Sequence, residues 1–183
     1  MATRTIPTPF TMRLIGAVSV DPLTYEEVEN DRTATWQALL VVLMSSAATG
    51  IGAFGWGTGS VRGILFMSGL ALLTWATWAL ITFEIGTRLM PESSTRADVG
   101  QLMRTIGFSA APGILRVFGV VPGATWPAFT ITAVWMLVAM VVAVRQALDY
   151  QSTARAVGVC ALGWGLSIGI AVALQLMFGP TVS

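Results

Sequence analysis

Histidine and lysine do not occur in this 183-residue chain, cysteine occurs once, and charged residues make up only 10% of it. Each scarcity removes a class of mechanism. Without histidine, the commonest general base, the commonest transition-metal ligand and the usual axial ligand of haem are missing. A lone cysteine, Cys160, can form neither an intramolecular disulfide nor a cysteine-based zinc site, and in an apolar helix it reads as a small buried hydrophobe. Ten arginines against nine acids leave a net charge of +1, which gives no case for nucleic acid as a partner. A soluble domain carries about 25% charged residues. This chain carries far fewer, is 55% hydrophobic and has a mean hydropathy of +0.75. It reads as an all-α, polytopic membrane protein.

Four apolar runs stand out, over residues 34–54, 62–86, 126–145 and 155–178. Each has the roughly 20 residues or more that cross a hydrocarbon core of about 30 Å. Between the second and third of them lies Gly107 to Gly123, GFSAAPGILRVFGVVPG, which is apolar but holds two prolines, four glycines and Arg116. Taken over 104–121 it would rise about 27 Å as an α-helix, just short of a span, so length permits a crossing or a re-entrant dip. The arginines arbitrate, because positive charge accumulates on the cytoplasmic side. A crossing places Arg4, Arg13, Arg32, Arg88, Arg96, Arg104, Arg145 and Arg155 together inside, whereas re-entry moves Arg145 and Arg155 outside. The expectation is a five-helix transmembrane bundle with the N-terminus cytoplasmic and the C-terminus outside. Its third helix is short, kinked at Pro112, ended by Pro122 and Gly123, and packed antiparallel to the fourth.

Charge within the spans is sparse. Glu84 lies near the inner end of the second span with Arg88 in the favourable i,i+4 position. Arg116 lies about five residues from the outer end of the third, from where its side chain can snorkel to lipid headgroups; helix pairing and an ion or substrate role are the alternatives. One carboxylate at one edge and one arginine at the other assemble no proton relay. Helix association in lipid relies on small residues, and Ala161, Gly165, Gly169 and Ala173 recur every four residues along the last span. Ser46 and Gly50, and Ala48 and Gly52, do the same in the first. These faces are expected to pack within the bundle, with a homodimer seam as the alternative. Trp36, Trp56, Trp126 and Tyr150 suit interfacial belts, while Trp75, Trp78, Trp135 and Trp164 sit deeper and fill gaps between helices.

Residues 1–33 form a cytoplasmic segment ahead of the transmembrane domain of residues 34–178, and no signal-peptide pattern is expected in it, since IGAVSV (residues 15–20) is too short for an h-region. Phe10, Leu14 and Val18 follow i,i+4 spacing, with Arg13 available to lipid phosphate, as in a short interfacial helix. Asp21 can cap a second helix with Pro22 in its first position. Residues 21–31 then hold Asp21, Glu26, Glu27, Glu29 and Asp31 and no base, which is either a solvated helix face or a surface for a basic partner. Asp98 and Ser152 can cap the helices that follow the two remaining inner loops.

These features resemble the Yip family of Ypt/Rab-interacting membrane proteins, in its bacterial branch. The likeness rests on a cytoplasmic N-terminal segment, five spans and a third span opened by Gly107, Phe108, Ser109 and Pro112. The stretch VWMLVAMVVAVRQALDYQSTARAV (residues 134–157) is also similar, and the likeness runs over about residues 10–175. The DLYGP-like motif of eukaryotic members is absent, the corresponding region reading VDPLTYEEVEN, so Rab binding is not implied. The resemblance implies a non-enzymatic adaptor or scaffold, without a cofactor, in a bacterial inner membrane, whose partners are the lipid bilayer and other membrane proteins or a second copy. The alternative is an accessory subunit that contacts lipid or a hydrophobic cofactor. A small transporter is the least favoured, because five spans do not divide into two equal halves.

Overall fold

Local chemistry sets the ends of the first two helices. In the computed structural model, which describes residues 8–57 and 60–178, α1 (Phe10–Val18) closes in a Schellman motif: Asp21 N–H donates to Gly16 O at 2.9 Å and Val20 N–H to Ala17 O at 3.1 Å. Val20 takes the left-handed position of that motif, at φ +58°. Asp21 then caps α2 (Pro22–Asn30), accepting from Leu23 N–H at 3.2 Å, with Pro22 where a missing N–H costs nothing.

The long helices follow. α3 (Ala34–Gly52) tightens into a 3-10 turn over Ala53–Trp56. α4 (Val61–Glu84), capped by Ser60, widens into a π turn over Ile85–Leu89, across which Arg88 pairs with Glu84 at 3.0 Å as the spacing predicts. α5 (Val99–Ser109) opens with a reciprocal capping box between Asp98 and Gln101. α6 (Thr125–Ala147) and α7 (Thr153–Phe178) complete the chain, and among the described residues there is no strand. Among those residues, three helical stretches are long and apolar enough to cross a membrane: Ala34–Trp56, Val61–Leu89 and Thr125–Ala147.

The stretch 104–121 is not a single kinked α-helix. α5 starts earlier and stops at Ser109, and residues Ala111–Val120 form a 3-10 helix. Pro112 supplies the reason, since it has no N–H to continue the α ladder and its ring crowds the carbonyl one turn back. A 3-10 helix rises about 2.0 Å per residue against 1.5 Å for an α-helix, so α5 and the 3-10 segment together extend about 36 Å.

Glycines seat this composite rod against α3. A Cβ on Gly107 would meet Ala38, one on Gly113 would meet Ser45, and one on Gly52 would collide with the Arg116 carbonyl beside Gly119. The contacts advance by seven residues along α3 (38, 45, 52) and by six along the partner (107, 113, 119), which is about two turns of each helix type. The two rods therefore run parallel, and the order never reverses. α6 runs antiparallel to the 3-10 segment, bringing Met136 to Gly113 and Thr125 to Gly119, whose carbonyl accepts from the Thr125 hydroxyl at 2.7 Å. α4 closes on α5 through Trp75 Nε1–H, which donates to Met103 O at 2.8 Å. α7 lies along α4, with Gly163 against the Trp78 ring and Gly158 against Met90.

The N-terminal helices fold back onto one end of the bundle, the capped end. Tyr25 is fully buried and its hydroxyl donates to Ala17 O at 3.2 Å. Trp135 Nε1–H donates to Val18 O at 2.8 Å, and Gln146 donates to Pro22 O at 3.2 Å. Tyr150, expected in an interfacial belt, is instead buried under the same end, its hydroxyl shared between the carbonyls of Gly86 and Met90. Trp36 and Trp126 stand exposed, and Trp126 meets Trp56 edge-on at 5.8 Å.

Candidate functional site

A cavity of about 800 Å³ lies between α3, α4, α5, α6 and Trp164 of α7. Its wall is apolar, formed by residues such as Val42, Ile106, Leu137 and Met140, with the hydroxyls of Ser45, Ser46, Thr49 and Ser109 interspersed. Among the described residues, Arg116 is the only charged one in this wall. Along α3 and the turn that follows it the lining runs from Val42 to Ala53, about 16 Å.

Arg116, expected at lipid headgroups, is half-buried and bonded to hydroxyls of neighbouring helices. Its Nε–H donates to Thr132 Oγ1 at 3.1 Å and an Nη1 hydrogen to Thr49 Oγ1 at 3.3 Å, and the guanidinium carbon stands 5.4 Å from the centre of the Phe129 ring. Both hydroxyls direct their own protons to carbonyls one turn back, Thr49 to Ser45 O and Thr132 to Ala128 O, which leaves their lone pairs for the arginine. Among the described residues no carboxylate lies within ion-pair distance of it. Trp78, also in the wall, is buried, and its indole N–H finds no acceptor among the described residues.

The charges of the N-terminal segment are largely engaged at the capped end. Arg13 is 2% exposed and donates to Glu27 at 2.9 Å, Asp31 at 2.7 Å and Gln37 at 3.1 Å. Its assignment to lipid phosphate is therefore corrected: α1 turns its arginine in and leaves Met12 and Ile15 exposed. Asp31 is held below its ordinary pKa, first by the hydrogen bonds from Thr33 and then by Arg13. Asp21 serves α2 as its cap, and Glu27 and Asp31 serve Arg13. Glu29 is 6% exposed and accepts from Gln101 Nε2 at 3.0 Å. Arg104 reaches from α5 to the carbonyls of Val28 and Glu29 and so closes the C-terminus of α2. Of the five acids Glu26 alone is exposed, at the rim of a polar cleft.

That cleft, about 610 Å³, is formed where α2 meets the loop before α5 and the end of α6, with Glu26, Glu29, Ser94, Arg96, Gln101 and Asp149 around it. Burial, together with the carboxylates of Asp149 and Glu26, pushes the Glu29 pKa up to about 7, against the opposing pull of Arg104. Among the described residues no group of three or more cysteine, aspartate or glutamate side chains is placed to hold a metal ion.

The small-residue face of α7 does not pack inside the bundle. Ala161, Gly165 and Gly169 are exposed, and a Cβ at Gly165 or Gly169 would meet nothing; the side chain of Ala173 lies outside the described residues. α7 uses Gly158 and Gly163 instead, because the large Met90 and Trp78 side chains need those gaps. Pro112 is fully buried, as a packing residue should be, and so is Cys160 nearly. The seam through Gly107, Gly113 and Gly119 did carry a signal in the sequence, a six-residue glycine repeat. Its six-residue spacing does not match the 3.6-residue period expected of a single kinked α-helix. Arg104 and Gln101 carried none, since only the fold brings α2 to them. Comparison with family models, curated proteins and solved structures finds no match for this chain.

Proposed function

We propose that the chain is a non-catalytic adaptor or scaffold of the bacterial inner membrane, with the Yip-like organisation its sequence resembles. It crosses the bilayer five times, with the capped end cytoplasmic and the C-terminus outside. Support for the crossings comes from the parallel seam between α3 and the α5/3-10 rod, which progresses along nearly the whole of α3. The observation that carries the adaptor reading is the composite cleft at the capped end. There a rigidly docked α2 and two loops present Glu26, Arg96 and Asp149 together on one polar surface, in place of a free acidic tail.

The test is gentle extraction of the tagged protein from its native membrane, followed by the mass and composition of what accompanies it. Protein partners retained by the wild type and lost on Glu26→Arg with Arg96→Glu support the adaptor. A lone protein that carries only lipid under crosslinking contradicts it.

The second reading is an accessory protein in contact with lipid or a hydrophobic ligand, and the cavity between the helices favours it. The open Ala161, Gly165, Gly169 face of α7 is then available for a second copy or another membrane subunit.

A further inference from the structure

We propose that the cavity between α3, α4, α5 and α6 binds a single-chain amphiphile with an anionic head, of the long-chain fatty-acid class, with its carboxylate at Arg116. This deepens the second reading above and rests on the bundle lying in a membrane, but not on the adaptor role.

Charge complementarity selects the head. Among the described residues Arg116 is the sole charge in the wall, and no carboxylate neutralises it. Two of its five N–H groups go to Thr49 and Thr132; these hydroxyls and the Phe129 face hold the plane of the guanidinium without cancelling its charge. A planar fork so fixed suits a carboxylate better than a neutral head, and within an apolar surround that attraction is stronger than in water.

Shape selects the chain. About 800 Å³ lies within the range of cavities that enclose small hydrophobic ligands. The wall continues from Thr49 and Ala53 towards Trp75 and Trp78, so one alkyl chain can lie along it. Arg116 is four residues inside the far end of the 3-10 segment, about 8 Å, a depth that a lone carboxylate reaches more readily than a diacyl phosphate headgroup held at the interface. The Trp78 N–H in this wall, without an acceptor among the described residues, leaves one polar group that a ligand oxygen can satisfy.

Trp75, Trp78 and Trp164 line the cavity, so an occupant carrying bromine at mid-chain should quench their fluorescence. The full-length protein in a non-ionic detergent is titrated at pH 8 with 9,10-dibromostearate, with its methyl ester as the neutral counterpart, and with dibrominated phosphatidylglycerol. Expected are saturable quenching by the acid, an apparent Kd at least about tenfold weaker for the ester, and a similar loss for the acid with Arg116→Gln, partly restored by Arg116→Lys. Non-saturable quenching, or equal affinity for acid and ester in the wild-type protein, overturns the proposal even if the Arg116 variants fail to fold. Tighter binding of phosphatidylglycerol than of the acid overturns the single-chain assignment.

Discussion

Val20 is a β-branched residue held at φ +58°, where an L side chain crowds its own backbone. Its N–H and that of Asp21 close α1, so the conformation is required by the turn and not by the side chain. Val20→Gly is expected to raise stability by about 0.5–1 kcal/mol, the relief of left-handed strain less the greater flexibility of glycine when unfolded, read as a higher thermal midpoint in detergent. Glu29 gives a prediction of a different kind. Its pKa in the folded protein is raised to about 7 from an ordinary 4.5, so the native state holds a proton that the unfolded state has released. Its contribution is therefore complete below pH 4.5 and is lost as pH rises through 7. Relative to Glu29→Gln, the wild type should lose thermal stability between pH 5 and pH 8; a difference that stays constant over that range would show that Glu29 does not titrate there.

At the scale of elements, tight glycine contacts and open ones can be told apart by adding one methyl group. Gly52→Ala places a carbon against the backbone carbonyl of Arg116, which cannot swing aside, whereas Gly165→Ala meets nothing. The first should cost about 1–3 kcal/mol or more as overpacking, and the second should be neutral or slightly stabilising in the monomer. Thermal midpoints of the two purified variants decide it, and equal effects would mean that the seam between α3 and the 3-10 segment is not as close as described. Local chemistry was legible from the sequence: Asp21 with Pro22, Asp98 as a cap, and Glu84 with Arg88 act within one turn. Partners across the chain were not. Arg13 carries the same charge whether it faces phosphate or Glu27 and Asp31, and only the folding back of α1 and α2 chooses between them. Likewise, Arg116 looks like a snorkelling side chain until α3 and α6 bring Thr49 and Thr132 to it.

For the whole molecule, a low charge content and long apolar runs sufficed to indicate an all-helical chain with membrane-length helices, and three such helices stand among the described residues. Harder to read was the stretch around Pro112, because α-helical rise leaves it short of a span, while the 3-10 geometry it adopts extends it. The proposed five-span topology depends on that rod passing from one side of the bilayer to the other. The direct measurement is labelling by a membrane-impermeant thiol reagent of single cysteines at Ser94, before α5, and at Val121, just after the 3-10 segment, each in a Cys160→Ala background. Labelling from opposite sides of the membrane is the predicted result; labelling of both from the same side would contradict a five-span chain and return the segment to a re-entrant loop.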